Sequence, residues 1–432
     1  MKRPLAYDIT RLITRIFART PNGIDRVDYA FAEYVLCGNA PRRSGLMMTP
    51  MGPRVVPLEA VREAIENIRK HWGEDVDPES DPHFLAVAAA LKHSSPKFLS
   101  ISAPRRGQYA DAFSWMRRRG IPLGEHPSRF LDGGGVYLNV SQFPLSVPSY
   151  FRWLGGSRHV DGVFFIHDLL PLETPEYFRP AERFRHLQRL KTVARHGRGA
   201  IVSSAITRKS LMRQMAAMGR PDMPIMIAPM PADPVFSAEN GFDEALAATP
   251  YFVICGTIEP RKNHLLILQV WRDLVSRMGR AAPKLVLIGE RGWENEQVVD
   301  LLERSPALQG RVVRVSGLST PALKKLLLGS RALLMPSFAE GYGLPIVEAM
   351  AAGVPVVASD IPIFREIGHG RLSMIDPTDG PAWRETIRRR MSAESPVATP
   401  GGNPKQCGPD WPRVFEQVEE FLSSLSGNGD QA

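Results

Sequence analysis

Short apolar runs alternate with amphipathic stretches in the second half of this 432-residue chain. The apolar runs are YFVIC from 251, KLVLI from 284, VVRV from 312, ALLMP from 332, VPVVAS from 354 and LSMID from 372. Between them, apolar residues recur at helical spacing. Because the runs are continuous instead of alternating, they are typical of strands buried on both faces of a parallel sheet. We therefore predict βαβ units and an α/β domain here.

The first half of the chain has a less regular pattern. The segment YDITRLI from Tyr7 predicts a strand at its start, and GIDRVDYAFAEYVL from Gly23 predicts an amphipathic helix. Two further apolar runs, GVFFI from Gly162 and AIVSS from Ala200, have the pattern of buried strands that lead into polar loops. We therefore expect a second α/β domain in this half.

Two stretches rich in proline and small residues mark the predicted domain boundaries. They are 231–250 and 392–410. After the second stretch, WPRVFEQVEEFLSSL has apolar residues at helical spacing, which predicts a terminal helix. We expect an N-terminal domain over 1–240, a C-terminal domain over 241–395, and a linker with the terminal helix over 396–432.

The two halves differ in charge. The formal net charge of the chain is +9. Residues 1–240 hold 33 basic and 23 acidic side chains, whereas residues 241–432 hold 21 and 22. A basic balance is compatible with a nucleic acid, an anionic membrane or an anionic substrate as the partner. No RNA- or DNA-binding motif accompanies the basic residues, so we expect no nucleic-acid partner.

Composition excludes several classes of protein. An apolar share of 44% and a charged share of 23% exclude a disordered chain. The three cysteines, Cys37, Cys255 and Cys407, are scattered and lack metal-ligand spacing, which favours a reducing compartment. No apolar run reaches the roughly 18 residues of a membrane-spanning helix, and charges interrupt the N-terminal apolar stretch. We therefore expect a cytoplasmic protein.

A basic pair follows the first predicted strand of the second half. Ligands of open α/β sheets bind beyond the carboxyl ends of the strands, so the residues after each strand are candidate binding residues. The segment GTIEPRKNH contains Gly256, which permits close backbone approach, and then Arg261 and Lys262. Two cations before a helix suit a diphosphate, and a solvated pair at a helix start is the alternative. Arg291 follows the next strand in the same way.

Two glutamates lie at the ends of one loop and helix in the segment FAEGYGLPIVEAMAAG. Glu340 lies in the loop, and Glu348 lies inside the predicted helix. Gly341 and Gly343, on either side of Tyr342, leave backbone N–H groups for an anionic or hydroxyl-rich ligand. The two carboxylates can accept hydrogen bonds from sugar hydroxyls. The alternatives are an exposed loop acid for Glu340 and a structural ion pair for Glu348.

The combination of these motifs is more specific than its parts. GTIEPRKN, the segment EGYGLPIVEAMAAGVPVVASD and FREIG together resemble the retaining glycosyltransferases of family 4. The resemblance covers about residues 250–376 and only short patches of the first half. It implies an α/β fold of the GT-B class, in which two Rossmann-like domains have parallel sheets that face each other across a cleft.

The resemblance implies roles for the four charged residues of the second half. Glu348 would bind the ribose hydroxyls of a nucleotide-sugar donor, and Glu340 would face the donor sugar. Arg261 and Lys262 would neutralise the donor diphosphate and stabilise the charge that develops on it as it leaves. The catalytic residues that the resemblance implies are therefore Glu340, Arg261 and Lys262, together with a histidine of the first half.

Backbone groups complete the donor site that the resemblance implies. Amides around Gly343 and Leu344 would reach phosphate or sugar oxygens. The strand end over Ser316–Ser319 would hold the nucleobase. The candidate donor residues of the second half are then Gly256, Arg261, Lys262, Arg291, Gly317, Leu318, Gly341, Tyr342, Gly343, Leu344 and Glu348.

The first half contributes a histidine and a glycine. His167 and Asp168 follow the strand GVFFI in the segment HDLLPLETPEYF. A lone histidine is more often structural, but in family 4 a histidine at this place lies against the donor sugar, and His167 matches it. The same segment resembles a branch that acts in O-antigen and exopolysaccharide assembly. Gly23, at the start of a predicted helix, resembles a loop glycine that faces the diphosphate, although the family's second glycine is missing.

Aromatic residues stand next to cations in two segments of the first half. Residues 105–119 include Phe113, Trp115 and Met116 beside three consecutive arginines, and residues 179–198 add further cations. Such a mixture suits an anionic lipid surface, and a solvated helix face is the alternative. The first interpretation predicts an enzyme that is peripheral at the inner face of the plasma membrane.

The reaction implied is transfer of a hexose from a nucleoside-diphosphate sugar to a hydroxyl of a glycan or lipid-linked oligosaccharide acceptor, with retention of configuration. The HDLLP resemblance favours mannose and cell-surface polysaccharide biosynthesis. No DxD motif stands at a strand end, so we expect neither a metal nor another cofactor. The alternatives are a GT-B-type sugar-nucleotide epimerase and a non-enzymatic sugar-nucleotide-binding subunit.

Overall fold

The computed structural model describes residues 3–15, 21–38, 40–72, 76–92, 99–101, 108–156, 159–238, 243, 246, 248–392 and 410–425. Its strands form two seven-stranded sheets. In chain order the strands are β1 (Leu5–Asp8), β2 (Arg43–Thr49), β3 (Gly52–Val56), β4 (Leu99–Ile101), β5 (Gly135–Asn139), β6 (Val160–Ile166), β7 (Gly197–Val202), β8 (Ile225–Ile227), β9 (Tyr251–Cys255), β10 (Lys284–Ile288), β11 (Val312–Val315), β12 (Leu333–Met335), β13 (Val356–Ser359) and β14 (Ser373–Ile375).

Helices connect most of these strands. The α-helices with described bounds are α1 (Thr10–Arg15), α2 (Gly23–Cys37), α3 (Leu58–Trp72), α4 (Pro82–Lys92), α5 (Gln108–Arg118), α6 (Pro127–Phe130), α7 (Arg152–Gly156), α8 (Leu170–Glu173), α9 (Pro180–His196), α10 (Ala205–Ala217), α11 (Pro234–Ser237), α12 (His264–Met278), α13 (Glu296–Arg304), α14 (Thr320–Leu328), α15 (Leu344–Ala351), α16 (Pro362–Gly368), α17 (Gly380–Ser392) and α18 (Trp411–Ser424). Short 3₁₀ turns lie among them, and the one over Pro260–Lys262 belongs to the candidate site.

The first compact unit contains the described residues of Met1–Trp72, Arg105–Met230 and Pro409–Ala432. Its strands follow the order β3-β2-β1-β5-β6-β7-β8. All neighbouring pairs are parallel except the hairpin of β2 and β3. The carboxyl ends of the parallel strands therefore share one edge, where Asp8 ends β1 and His167 follows β6.

The second unit contains the described residues of Gly73–Pro104 and Pro231–Gly408. Its strand order is β14-β13-β12-β9-β10-β11-β4, and every pair is parallel. Val253 and Val286 pack into one core cluster, whereas Phe252 and Leu285 pack into another. Alternate residues of a strand point to opposite faces, so this sheet is buried on both sides. The predicted strands and the α/β class of this half are thus confirmed.

Residues 76–92 and 99–101 depart from the predicted division of the chain at residue 240. β4 pairs with β11, with Leu99 opposite Val313, so this strand joins the second sheet. The carboxylate of Asp81 accepts a hydrogen bond from the backbone N–H of Ser319 at 2.9 Å. Lys284 Nζ donates to the carbonyl of Leu91 at 2.9 Å, at the end of α4. The second unit therefore includes a piece of chain from inside the predicted first domain.

The terminal helix α18 packs on the first unit. The Phe415 ring stacks on Tyr34 with ring centroids 4.1 Å apart, and Arg43 Nη2 lies 3.2 Å from Glu419 Oε1. The predicted terminal helix is confirmed, and most of the predicted linker lies outside the described residues. The apolar face of α18 therefore packs on a unit whose other residues are far away in the sequence.

Helix α5 buries part of the aromatic segment that we assigned to a lipid surface. Trp115 and Met116 are buried, and only Phe113 of the three named residues is exposed. The reason is that positions 112, 115 and 116 lie on one face of the helix, which is turned to the core. Among the helices of the described residues, none is long and apolar enough to cross a membrane.

Candidate functional site

The carboxyl ends of β9 and β12 bring one acidic and two basic side chains of the second unit together. The loop after β9 ends in the 3₁₀ turn with Arg261 and Lys262, and the loop after β12 contains Glu340. The two loops are joined through the backbone, because the N–H of Phe338 donates to the carbonyl of Arg261 at 2.8 Å. The sequence placed these residues nearly 80 positions apart, and the parallel sheet makes them neighbours.

Glu340 is the centre of this cluster. Arg261 Nη1 donates to Glu340 Oε2 at 2.5 Å, and Lys262 Nζ donates to Glu340 Oε1. Ser337 Oγ donates to the same Oε1 atom at 2.8 Å. The Glu340 side chain is only 5% exposed. It is therefore a buried carboxylate with three charged or polar donors, and the exposed loop acid that was the alternative is wrong.

A second buried acid, Glu259, holds the other side of Arg261. Arg261 Nη2 lies 2.5 Å from Glu259 Oε1, so the guanidinium bridges two carboxylates. Burial raises the pKa of Glu259, against the lowering effect of Arg261 and Lys262. Sequence reasoning missed this residue, although its place just before the basic pair after a strand was a usable signal.

The charge state of Glu340 follows from these contacts. Burial alone would raise the pKa of its carboxyl, but Arg261, Lys262 and the hydrogen bonds from Lys262 and Ser337 lower the pKa to about 2. Glu340 is therefore ionised at neutral pH. Together, Glu259, Glu340 and the two cations form a compact network of alternating charges.

Close backbone approach explains the two glycines at this edge. Gly256 has φ of 144°, and an added Cβ would lie 3.2 Å from Lys262 Nζ, so the missing side chain leaves room for the lysine. Gly343 precedes α15 with φ of 107°, and its Cβ would lie 2.9 Å from a ring carbon of Phe364. Both positions therefore exclude larger residues for reasons of conformation and space.

The remaining predicted residues of the loop and helix lie near Gly343. Gly341 and Tyr342 are partly exposed in the loop, and Leu344 is the first residue of α15. Glu348 is buried on that helix, one turn beyond its start. At the start of α15, Pro345 has no N–H, and the N–H groups of Ile346 and Val347 donate to the carbonyl of Gly343. The backbone N–H groups of Gly343 and Leu344 are therefore the ones that can suit an anionic ligand here.

Arg291 follows β10 at the same edge of the sheet. It is exposed, and its Nε donates to Asn295 Oδ1 at 3.1 Å. Gly317 has φ of 85° after β11, and Leu318 is buried in the core. Ser316, beside them, has a buried hydroxyl with no hydrogen-bond partner among the described residues. This strand end is thus a separate polar position at the same edge of the sheet.

Sequence reasoning missed two further residues at the basic turn, Asn263 and His264. Asn263 adopts a left-handed conformation with φ of 54°, and its Nδ2 donates to the carbonyls of Pro336 and Pro377. His264, the first residue of α12, is buried, and burial and the charge of Lys262 lower its pKa to about 3. The imidazole is therefore neutral at pH 7. The Asn263 side chain therefore holds the basic turn against the loops after β12 and β14. Neither ring nitrogen of His264 has a hydrogen-bond partner among the described residues.

His167 and Gly23 lie in the first unit. His167 follows β6 and is buried, and its Nε2 atom lies 2.8 Å from the carbonyl oxygen of Val140. Burial lowers its pKa to about 4, despite the raising effect of that hydrogen bond, so the ring is neutral at pH 7. Gly23 is the first residue of α2, whose N-cap Asn22 forms a capping box with Asp25.

Metal ligation was expected to be absent. Within the described residues, no group of three or more histidine, cysteine, aspartate or glutamate side chains is arranged to hold a metal ion. The positive charge of the Glu340 cluster comes from Arg261 and Lys262. Independence of metals and of other cofactors stays a prediction.

Comparison with known proteins agrees with this fold. The model of a family described as Glycosyl transferases group 1 matches residues 239–394. This range contains Arg261, Lys262 and Glu340 together with strands β9–β14. The family match therefore covers the second unit from β9 to α17.

Two curated relatives share part of the chain. It is 37% identical to the serotype-specific mannosyltransferase WbdA of Escherichia coli over 123 residues, which are 28% of this chain and 15% of WbdA. It is 35% identical to the O-antigen chain mannosyltransferase B of Escherichia coli over 150 residues, 35% of this chain and 39% of that protein. The chain thus covers less than two fifths of the length of either relative.

A solved structure extends the likeness to both units. Anabaena HepE, in complex with UDP-glucose, matches with a TM-score of 0.63 over 98% of this chain and 100% of that chain. The sequence identity is 14%, so this likeness concerns the fold alone. The chain therefore has the GT-B fold, and its residues 239–394 match the model of the glycosyl transferases group 1 family.

Proposed function

We propose that this protein is a retaining glycosyltransferase that moves a hexose from a nucleoside-diphosphate sugar to a hydroxyl of a glycan or lipid-linked acceptor. The observation that carries the proposal is the Glu340 cluster, in which Arg261 and Lys262 converge at the carboxyl edge of a parallel sheet. That edge is where open α/β sheets bind nucleotides. The relatives named as O-antigen mannosyltransferases favour mannose as the sugar and cell-surface polysaccharide as the product.

The chemistry follows from the charges of the cluster. The bond between the anomeric carbon and the diphosphate oxygen breaks, and a bond from that carbon to the acceptor oxygen forms on the same face. The acceptor proton passes to the leaving diphosphate. Arg261 and Lys262 stabilise the negative charge that grows on the diphosphate, and the amides at the start of α15 add to this effect. Glu340 orients the two cations and faces the donor sugar.

His167 contributes as a neutral hydrogen-bonding group in this proposal. Its lowered pKa leaves the ring neutral at pH 7, and its one N–H, on Nε2, donates to the carbonyl of Val140. In the proposal, Nδ1 accepts a hydrogen bond from a sugar hydroxyl, and the ring does not act as an acid. Gly23 belongs to the diphosphate side of the donor site, and the strand end over Ser316–Ser319 belongs to the nucleobase. No step of this mechanism requires a metal or another cofactor.

Binding of nucleoside diphosphates tests the proposal directly. We expect GDP, UDP, dTDP or ADP to raise the Tm by several degrees, because a ligand at 100 times its Kd stabilises the folded state by about 2.7 kcal/mol. The matching nucleotide sugar should then support transfer to an acceptor. The Arg272→Ala variant, which removes an exposed arginine of α12, is the control and should bind equally well. If none of the four nucleotides raised the Tm, the result would contradict the proposal. Epimerisation of the nucleotide sugar in the absence of an acceptor would indicate an epimerase instead.

Membrane association is a separate part of the proposal, and it concerns residues 105–119 and 179–198. Phe113 on α5 is 51% exposed and Phe184 on α9 is 64% exposed, and exposed arginines flank both. Apolar side chains among cations favour the surface of an anionic lipid bilayer. This would place the enzyme at the inner face of the plasma membrane, next to a lipid-linked acceptor.

Sedimentation with vesicles checks the membrane part. We expect binding to phosphatidylglycerol vesicles at low salt, and little binding to phosphatidylcholine. The Arg117→Gln and Arg118→Gln changes should each weaken binding roughly fivefold, since each cation near an anionic surface contributes about 1 kcal/mol. Met212→Ser removes an exposed apolar side chain of α10 and serves as the control. Equal binding to both lipids would refute the idea.

A further inference from the structure

Three polar residues lie at the carboxyl ends of three adjacent strands of the first sheet. β1, β5 and β6 are neighbours, and Asp8 ends β1, Asn139 ends β5 and His167 follows β6. All three residues are buried, and Asp8 and Asn139 are fully so. Of the three, the proposed function uses only His167. The other two need a physical reason, because a buried polar side chain lowers stability unless its hydrogen bonds are satisfied.

The Asn139 side chain holds the loop that follows β5. Its Oδ1 atom accepts a hydrogen bond from the backbone N–H of Gln142 at 3.0 Å, and its Nδ2 atom donates to the carbonyl of Phe143 at 2.9 Å. These two partners fix which end of the amide is the oxygen, since an N–H group needs an acceptor and a carbonyl needs a donor. One side chain therefore spans residues 140–143 and sets the course of the backbone there.

Asp8 fixes the Asn139 side chain from the neighbouring strand. Its Oδ2 atom accepts from Asn139 Nδ2 at 3.1 Å and also from the Tyr137 hydroxyl. Its Oδ1 atom accepts from the backbone N–H of Thr10 at 2.8 Å, which ties the carboxylate to the start of α1. Rotation of the Asn139 amide would therefore break its bonds to Asp8 and to the loop together.

The loop that Asn139 holds also contains the hydrogen-bond partner of His167. His167 Nε2 lies 2.8 Å from the carbonyl oxygen of Val140, the residue that directly follows Asn139. The Phe165 ring packs against the imidazole, with ring centroids 4.6 Å apart. A neutral imidazole has one N–H, and a carbonyl oxygen can only accept, so this contact places the proton on Nε2 and leaves Nδ1 as the acceptor. The tautomer and the direction of the ring therefore depend on where the Val140 carbonyl points.

We propose that Asn139 is a positioning residue for His167, because it aims the Val140 carbonyl at the imidazole. Asp8 serves the same purpose by anchoring the Asn139 amide. The role in catalysis rests on the proposed function, in which Nδ1 of His167 accepts a hydrogen bond from a sugar hydroxyl. Without the Asn139 amide, the loop loses the bonds that fix it, and the ring loses a fixed partner. A misplacement of about 1 Å can lower a rate about 100-fold, so Asn139 acts on transfer through His167.

A double-mutant cycle of Asn139 and His167 tests the proposal in the full chain. Asn139→Ala should lower kcat for transfer about 10- to 100-fold in the wild-type background, but only about twofold or less in the His167→Ala background. Thr192→Val is the control, because it removes a buried hydrogen bond to another loop carbonyl, that of Leu145. Its kcat should stay within about twofold of the wild type.

The cycle also separates positioning from a structural role. Binding of the nucleoside diphosphate, which has no sugar to contact His167, should stay within about twofold in Asn139→Ala. An equal loss of transfer from Asn139→Ala in both backgrounds would identify a structural residue and would overturn the proposal. So would a loss of nucleotide binding that matches the loss of transfer, or an unchanged kcat in Asn139→Ala.

Nitrogen NMR of isotope-labelled histidine tests the placement without any substrate. Protonated and unprotonated ring nitrogens have separate resonances, and a spectrum of His167→Gln assigns those of His167 among the ten histidines. We expect the proton on Nε2 in the wild type and in Thr192→Val, and a mixture of tautomers in Asn139→Ala. If Asn139→Ala does not fold, Asn139→Thr should give the same mixture, since its shorter side chain cannot span Gln142 and Phe143.

Two results of the NMR experiment would overturn the proposal. One is a wild-type His167 with its proton on Nδ1, and the other is an unchanged tautomer in the folded Asn139 variants. If no nucleotide sugar supports transfer, the proposed function fails. The tautomer of His167 and its dependence on Asn139 would still decide whether this residue positions the imidazole.

Discussion

An Arg261→Ala variant is expected to lose sugar transfer by about 100- to 1000-fold in kcat, which is the usual effect of removing one group that stabilises developing negative charge. Arg261 is the residue that bridges Glu259 and Glu340, with both contacts at 2.5 Å. Its removal takes a cation away from the diphosphate. It also leaves the buried carboxylates of Glu259 and Glu340 with Lys262 as the remaining cation of the cluster. We therefore expect loss of transfer and weaker nucleotide binding together.

The measurement is steady-state kinetics with a nucleotide sugar, together with nucleotide binding by calorimetry. Arg272→Ala, on the exposed face of α12, is the matched control, because it removes the same side chain outside the cluster. Arg261→Lys should recover part of the activity, since it restores the charge but not the bidentate geometry. Full activity in Arg261→Ala would exclude the proposed diphosphate site.

A Glu340→Gln variant is expected to destabilise the second unit by about 3–5 kcal/mol at pH 7, the range found when one partner of a buried ion pair is removed. The carboxylate accepts from Arg261, Lys262 and Ser337. Glutamine has the same shape, but its amide nitrogen cannot accept any of these bonds, and two cations lose their counter-charge. Denaturant unfolding monitored by tryptophan fluorescence measures the change.

The same variant should flatten the pH dependence of stability on the acid side. The folded-state pKa of Glu340 is about 2, below the ordinary value of a glutamate. Its contribution is therefore complete above about pH 5 and is lost as the pH falls toward 2, and it amounts to roughly 3 kcal/mol. Wild-type protein should lose more stability than Glu340→Gln between pH 6 and pH 3.

Glu385→Gln is the control for the Glu340→Gln variant. Glu385 also has a pKa lowered to about 2, through hydrogen bonds from Arg388, but it lies on the exposed surface of α17. Exposed ion pairs contribute little to folding. We expect the stability of Glu385→Gln at pH 7 to match the wild type. An equal effect of the two substitutions would mean that burial of Glu340 has no energetic consequence, and the account of the cluster would be wrong.

Sequence reasoning reached the core of the candidate site for a simple reason. The residues after consecutive parallel strands meet at one edge of the sheet, so Arg261, Lys262 and Glu340 could be grouped before any contact was known. The glycines at 256 and 343 were also recognisable, because positive φ and close approach favour glycine alone. The sequence suggested that these glycines allow a ligand to approach the backbone closely. The structure gives a different reason for glycine at 256, which is the space that it leaves for the Lys262 side chain.

Other features depend on contacts that no local pattern encodes. The three-residue strand β4 pairs with β11 across more than 200 residues of sequence, so the assignment of 76–101 to the second unit needed the structure. Whether Trp115 packs inward or lies on the surface depends on which face of α5 meets its neighbours.

The amino-acid sequence by itself determined the α/β class, the strands of the second half and the basic and acidic residues at their carboxyl ends. Local hydrophobic pattern decides these features, since a continuous apolar run buries itself in a parallel sheet wherever the chain passes. Only the tertiary structure decided which charges pair. The contact of Glu259 with Arg261 and the three donors on Glu340 are consequences of side-chain directions set by packing between distant segments.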